Sequence, residues 1–298
     1  MYRFADGELR VRVHPEVAGA DTYIIQSLNG TVDRSVHDRL FELVLLLGAA
    51  ADAGAARLSV MVPYLCYSRQ DRRFGDGGTV GTRDVAKVLE AAGLDRLATV
   101  DVHNPAAFEN AFRCRTVHLH STDLLARHLA GGSHRPITVI APDLGATKRA
   151  TAMMSALERF VDEEVQQVVL GKRRVDHVVE DDPEVHDVRD TDVVIVDDML
   201  ATGGTAARAA KACRDQGAAS VTVAATHGLF VGDAGSTLAA AVDRIVVTDS
   251  VQPLPALTGG PPVEVVDLAP LLSDAIAAMA DRPPSGSSVN QLLGVDTR

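Results

Sequence analysis

Short apolar runs alternate with longer amphipathic stretches along most of the chain. The runs have the length and β-branched composition of buried strands. They lie at Thr22–Gln26, Ser59–Pro63, Leu97–Asp101, Ile137–Ala141, Val165–Leu170, Val193–Val196, Val221–Thr226, Ile245–Thr248 and Val263–Val266. The clearest helical stretches lie between them, at Ser35–Ala53 and Thr82–Ala92, and Ala206–Arg214 also has helical composition. Gly54 and Gly93 stand where helix ends favour glycine. This alternation predicts an α/β fold with mainly parallel sheets flanked by helices.

Two stretches lack this periodicity. Val175–Thr191 is rich in charge, and Gln252–Pro262 is rich in proline and glycine, so we expect both to be surface loops. The Gly131–Ser133 segment interrupts the pattern before Pro136. We therefore expect a second domain to begin shortly before it, near His118.

Composition narrows the class of protein. A length of 298 residues suits two domains, and 46% hydrophobic residues with only 4% aromatic indicate cores of Val, Leu, Ala and Ile. A net charge of −11 without a long basic block argues against nonspecific nucleic-acid binding. No apolar run is long enough for a membrane span, and no signal-peptide pattern follows Met1. Cys66, Cys114 and Cys213 are widely spaced and odd in number, as expected of free thiols in a reducing cytosol.

Residues 193–205 read VVIVDDMLATGGT and carry the strongest chemical signal. A strand would deliver Asp197 and Asp198 to its carboxyl end, where they could accept bonds from ribose hydroxyls or hold a divalent ion. A turn before the next helix supplies groups for a phosphate: Thr202, Gly203, Gly204 and Thr205. The pattern predicts a sugar-phosphate cradle. The ordinary alternative is a solvated acidic turn.

Other polar clusters follow the predicted strands. They are Arg69–Arg72, Asp101 with His103, Asp143, and Lys172–Arg174. Open parallel sheets bind ligands at the carboxyl ends of their strands. A lone histidine is more often a surface or satisfied core residue, and arginine triplets usually coat loops. Together, however, the clusters supply ligands for magnesium and cations for a polyphosphate.

These motifs, in this order, resemble the ribose-phosphate diphosphokinase family, also called phosphoribosyl pyrophosphate synthetases. FADGE at 4–8, PYLCYSRQDRRF at 63–74 and DVHNP at 101–105 match three of its segments. Pro142-Asp143 with Arg149, the Lys172 triplet, DDMLATGGT at 197–205 and the SVNQLL tail at 288–293 match others. The resemblance extends nearly end to end.

The resemblance implies two phosphoribosyltransferase-type (type I) domains. The first would span 1–118, with the segment 273–298 packing back on it, and the second would span 119–272 and carry the cradle. It also implies a reaction in which the anomeric hydroxyl of ribose 5-phosphate attacks the β-phosphorus of magnesium ATP. The products would be 5-phosphoribosyl 1-diphosphate and AMP. We expect a cytoplasmic homo-oligomer whose partners are ATP and ribose 5-phosphate, with no nucleic acid and no membrane.

Residue roles carried over from the family fall into four groups. ATP contacts are implied for Asp6, Gly7, Glu8, Arg69 and Gln70. Ribose 5-phosphate contacts are implied for Asp197, Asp198, Thr202, Gly203, Gly204, Thr205 and Ala206. Mg²⁺ would be served by His103 and Asp143. Lys172 and Arg174 would close over the transferring group and act as catalytic residues.

Three departures keep two alternatives open. Ala201 stands where many synthetases carry a third Asp, and ATGGT also occurs in the adenine phosphoribosyltransferase signature. The chain begins almost at FADGE, without the family's opening strand and helix, and the tail carries Asn290 and Gln291 in place of small hydroxyl residues. The alternatives are a phosphoribosyltransferase and a non-catalytic, synthetase-like regulatory subunit. Arg69, His103 and Lys172 argue against the first, and the presence of every catalytic position argues against the second.

Overall fold

The computed structural model describes residues 1–13, 17–131, 135–170, 173–175, 178–180, 188–252 and 256–280, with 173–175 and 178–180 described by their backbone alone. The strands are β1 Tyr2–Arg3, β2 Leu9–Arg10, β3 Asp21–Ile25, β4 Arg57–Val62, β5 Arg96–Val100, β6 Arg115–Leu119, β7 Ile137–Ala141, β8 Val165–Val169, β9 Arg173–Val175, β10 Val178–Glu180, β11 Asp192–Leu200, β12 Ser220–Gly228, β13 Arg244–Thr248 and β14 Val263–Val266. The helices are α1 Val36–Asp52, α2 Gly81–Ala91, α3 Pro105–Ala111, α4 Thr122–Ala130, α5 Thr147–Leu157, α6 Gly204–Asp215, α7 Ala234–Ala239 and α8 Ala269–Met279. All nine strands predicted from the apolar runs are confirmed.

The chain divides into two compact units. Of the described residues, the first unit contains Met1–His120, 250–252 and 269–280, and the second contains Ser121–Asp249 and 256–268. None of the helices in the described part of the chain has the length and apolarity that a transmembrane span requires.

The first unit is built on a four-stranded parallel sheet in the order β3-β4-β5-β6. Helix α1 begins at a capping box, because the Ser35 side chain accepts from the Asp38 N–H while the Asp38 carboxylate accepts from the Ser35 N–H. Leu43 and Leu47 of α1 are fully buried and pack in the same core as Val60 of β4. A short antiparallel hairpin, β1 with β2, precedes this sheet.

The second unit contains a six-stranded parallel sheet in the order β14-β13-β12-β11-β7-β8. Helices cover both faces of β11. Val193 and Ile195 share a core with residues of α6 and α7, whereas Val194 and Val196 share a core with residues of α4 and α5. Burial on both faces explains why β11 reads as an uninterrupted apolar run rather than an alternating one.

Several details differ from the sequence-based expectations, among them the short strands β1, β2 and β9, which the sequence did not predict. Strand β6 was not predicted, because Arg115, Thr116 and His118 give this edge strand a polar composition. Strand β11 extends to Leu200 rather than ending at Val196, since it pairs with β12 as far as Gly228. Helix α6 begins two residues earlier than the predicted helix. Within the stretch expected to be a loop, Val178–Glu180 is a strand that pairs with β9.

Candidate active site

The acidic pair lies inside β11, in its second half, rather than just beyond a shorter strand. Arg149, from the first turns of α5, points to both carboxylates. Its Nη1 lies 3.5 Å from Asp197 Oδ1, and its Nη2 lies 3.9 Å from Asp198 Oδ1. The Asp198 side chain is 4% exposed, so this guanidinium offsets charge in a poorly solvated place.

The Asp197 and Asp198 carboxyl groups are close enough for Asp198 to change the pKa of Asp197. Burial, followed by the hydrogen bond and negative charge of Asp198, raises the pKa of Asp197 to about 7, and the Arg149 guanidinium opposes this rise. A group that donates hydrogen bonds to the ionised carboxylate would favour its charged form. The hydroxyls of a sugar are such donors.

The turn after β11 has a shape that lets a ligand approach its backbone closely. Gly203 has φ +79°, and a Cβ placed there would lie 2.9 Å from the Leu238 side chain, so this position excludes other residues on two grounds. At Gly204 the nearest atoms to an added Cβ are 3.9 Å away. The N-cap residue of α6 is Gly203, which has no side chain to accept from the first N–H groups of the helix. The 12-residue helix thus presents its positive end at the predicted phosphate position.

In the first unit, the turn 101–104 joins β5 to α3, and we call it the DVHN turn. Asp101 adopts φ +39°, and its N–H donates to Leu119 O at 2.9 Å. The Val102 N–H donates to His118 Nε2 at 3.0 Å. His103 is exposed. The neighbouring strand β6 therefore fixes the backbone of the turn that carries His103.

Potential ligand atoms of three residues near this turn lie within 4.8 Å of one another: Asp101, His118 and His120. His120 Nδ1 lies 3.1 Å from Asp101 Oδ1. Because His118 Nε2 accepts from a backbone N–H, a neutral ring carries its proton on Nδ1 and offers no lone pair there. The cluster thus supports the turn through hydrogen bonds, and the predicted ligand His103 is not part of it.

The segment 69–71 contains the predicted ATP contacts Arg69 and Gln70, and we call it the ATP segment. It follows Tyr67, whose φ is +60°. Gln70 N–H donates to Tyr67 O at 2.9 Å, and the Thr82 hydroxyl donates to Tyr67 O at 2.9 Å. The Gln70 side chain lies against Gly81, where an added Cβ would be 2.7 Å from Gln70 Oε1. The start of α2 therefore holds this segment in place.

The FADGE residues form an exposed turn between β1 and β2. Gly7 has φ +97°, and Asp6 Oδ1 accepts from the Glu8 N–H at 3.1 Å. The turn is closed by the Phe4 N–H, which donates to Glu8 O at 2.8 Å. Its polar groups are thus presented on a defined backbone.

Asp143 follows β7 and is exposed. One of its oxygens, Oδ1, accepts from the Ala146 N–H at 3.1 Å and begins a short 3₁₀ turn. The other oxygen remains suited to a hard cation, and an exposed carboxylate fits magnesium, which retains several waters in proteins. Asp143 and His103 belong to different units, so their common site stays a prediction.

Two predicted catalytic residues are not placed by the structure. Lys172 lies outside the described residues, as does the tail motif at 288–293, and Arg174 is described only by its backbone in β9. Two features were missed from sequence. Arg149 lies six residues after Asp143 in the same motif, yet the motif alone does not indicate that its guanidinium reaches the acidic pair. The spacing of His118 and His120 was also a usable signal, because both follow closely along the end of β6, near the turn that carries Asp101.

Comparison with known proteins identifies two family models along the chain. Residues 1–93 match the N-terminal domain of ribose phosphate pyrophosphokinase, and residues 115–252 match the phosphoribosyl transferase domain. A ribose-phosphate pyrophosphokinase from Haemophilus influenzae is 33% identical, covering 97% of this chain and 90% of the relative. One from Maricaulis maris is 34% identical, covering 94% of this chain and 87% of the relative. The crystal structure of phosphoribosylpyrophosphate synthetase from Mycobacterium smegmatis matches with a TM-score of 0.81 and 28% identity, covering 94% of this chain and 89% of that one.

Proposed function

The chain belongs to the ribose-phosphate pyrophosphokinase family, and from this premise we propose that it transfers the diphosphoryl group of magnesium ATP to ribose 5-phosphate. The anomeric oxygen of the sugar forms a bond to the β-phosphorus. The bond between that phosphorus and the oxygen bridging it to the α-phosphorus breaks, the hydroxyl proton is released, and AMP leaves. The sugar product is 5-phosphoribosyl 1-diphosphate.

The observation that carries the proposal is the acidic pair followed by a left-handed glycine at the start of α6. The 5-phosphate would lie on the N–H groups and hydroxyls of residues 202–206, at the positive end of the helix. The ribose hydroxyls would donate to Asp197 and Asp198, with Arg149 balancing their charge. Ala201 removes no hydrogen-bond donor from this cradle, so it is compatible with the substrate.

The remaining roles are proposals by motif. Asp6, Gly7, Glu8, Arg69 and Gln70 would contact ATP, and His103 and Asp143 would hold Mg²⁺, which offsets polyphosphate charge when bound. Lys172 and Arg174 would close over the transferring group and stabilise charge that develops in the transition state. Homo-oligomeric assembly and a cytoplasmic location remain predictions.

The test is an assay of the purified chain with ribose 5-phosphate, magnesium and ATP, with the nucleotides separated by chromatography. We expect AMP to form only when the sugar phosphate is present. Asp198→Ala should reduce the rate at least about a hundredfold, because the sugar hydroxyls lose a buried acceptor. Asp215→Asn, at the exposed carboxyl end of α6, is the matched control and should retain the wild-type rate. Formation of ADP in place of AMP would overturn the proposal.

A further inference from the structure

Asn104, the last residue of the DVHN turn, forms hydrogen bonds in two directions. Its Oδ1 accepts from the Ala107 N–H at 3.1 Å and so caps α3. Its Nδ2 donates to Asp71 Oδ2 at 2.7 Å. Capping needs only the side-chain oxygen. The amide nitrogen therefore makes a contact that the helix does not require.

The second contact connects two segments that are 33 positions apart in sequence. Asp71 directly follows Arg69 and Gln70, which the proposed function assigns to ATP. Asn104 directly follows His103, which it assigns to magnesium. Both side chains are partly buried, so water competes less for this bond than for a fully exposed one.

Each of the two segments also contacts a neighbouring element that is not part of the other segment. Thr82 and Gly81, at the start of α2, support the backbone and side chain of Gln70. His118, on β6, accepts from the Val102 N–H of the DVHN turn. The bond between Asn104 and Asp71 joins these two supported segments to each other.

We propose that Asn104 is a positioning residue that sets the distance between the ATP segment 69–71 and the magnesium turn 101–104. This inference rests on the proposed function. Magnesium ATP is recognised as one species, so the nucleotide contacts and the metal ligand must keep a fixed separation. A change in that separation weakens the binding of magnesium ATP and leaves ribose 5-phosphate, bound in the cradle, unaffected.

We call the hydrogen bond from Asn104 to Asp71 the bridge. Two substitutions separate its effect from that of the cap on α3. Asn104→Ser keeps a good capping oxygen and removes the amide donor. Asn104→Asp keeps the shape and the cap but places a carboxylate against Asp71. A negative charge at a helix amino end is favourable, so α3 stays capped, and the thermal unfolding midpoint of this variant measures what the repulsion from Asp71 costs in stability. Asn110→Ser, an exposed site on α3, controls for the same replacement without the bridge.

The measurements are calorimetric binding of a non-hydrolysable ATP analogue with magnesium, and KM for ATP and for ribose 5-phosphate. We expect Asn104→Ser to weaken analogue binding severalfold and Asn104→Asp to weaken it at least about tenfold, with the KM of ribose 5-phosphate unchanged. The double variant Asp71→Asn with Asn104→Asp reverses the bond, because the amide introduced at position 71 would donate to the carboxylate introduced at position 104. It should bind the analogue within about threefold of the Asp71→Asn single variant.

The outcomes are distinguishable. Independent effects at positions 71 and 104, or an equal loss for both substrates, would overturn the positioning role while the proposed function stands. A wild-type chain that binds no nucleotide would overturn both. Recovery in the double variant would support the bridge even if the wild-type product were not AMP, because analogue binding needs no turnover.

Discussion

Gly203 is the residue whose replacement most directly tests the shape of the cradle. Gly203→Ala forces a left-handed backbone on a residue with a Cβ and presses that atom against Leu238 at 2.9 Å. We expect the unfolding free energy to fall by about 1–3 kcal/mol and the affinity for ribose 5-phosphate to fall more steeply than that for ATP. Urea denaturation and substrate titrations measure the two effects.

The neighbouring glycine supplies a control. At Gly204 an added Cβ meets nothing nearer than 3.9 Å, and its φ is not in the left-handed region. Gly204→Ala should keep or slightly raise stability, since alanine is the better helix former. Equal destabilisation by the two variants would show that the Gly203 conformation is not required.

The raised pKa of Asp197 predicts a specific dependence of stability on pH. In the unbound protein the raised pKa keeps Asp197 protonated up to pH about 7, whereas an unfolded Asp loses its proton near its ordinary pKa of 3.8. Between these values the folded state binds more protons than the unfolded state, so the unfolding free energy falls as pH rises and then levels off above about 7. Asp197→Asn should remove this slope, and at pH 8 its unfolding free energy should exceed that of wild type by roughly 1–4 kcal/mol. Parallel stability curves for the two proteins across that range would refute the assignment.

Among the elements, helix α8 depends on one buried arginine. Arg96, 7% exposed in its side chain, donates to the Met279 carbonyl, to Ser59 Oγ and to Asp21, the last at 2.7 Å. Arg96→Met keeps much of the volume but leaves the carboxylate and the helix carbonyl without this donor. We expect a loss of about 2–4 kcal/mol in stability and faster hydrogen exchange in Ala269–Met279.

Arg57 is the matched control, because it also pairs with Asp21, at 3.2 Å, but is 47% exposed. Arg57→Met should cost less than about 1 kcal/mol, as surface ion pairs usually do. If both variants loosened α8 to the same extent, the anchoring of this helix by Arg96 would be wrong.

The comparison of elements shows which features the sequence could predict. Strands such as β11 were predictable because burial on both faces forces a continuous apolar run. Strand β6 was not, because this edge strand accepts a polar residue at its exposed start, Arg115, and another at a half-buried position, His118. The cradle could be predicted because its groups are contiguous in the chain. Arg149 and the bridge from Asn104 to Asp71 could not, because such partners are chosen by packing between elements distant in sequence.

At the scale of the whole molecule, each of the two parallel-sheet units presents polar groups at or beyond the carboxyl ends of its strands. In the proposed function, the cradle in the second unit binds the sugar phosphate, and segments 69–71 and 101–104 in the first unit bind the nucleotide and its metal. The family assignment adds the expectation that both phosphoryl groups move together. A kinase using the same parts would move only one.

The most direct measurement follows the phosphorus atoms of ATP. The chain is incubated with magnesium and ribose 5-phosphate, using ATP labelled at the β-position and, in parallel, at the γ-position. If the diphosphoryl group moves as a unit, both labels appear in the sugar product in equal amounts, with one unlabelled AMP formed per product molecule. Retention of the β-label in ADP, or release of label without ribose 5-phosphate, would contradict it.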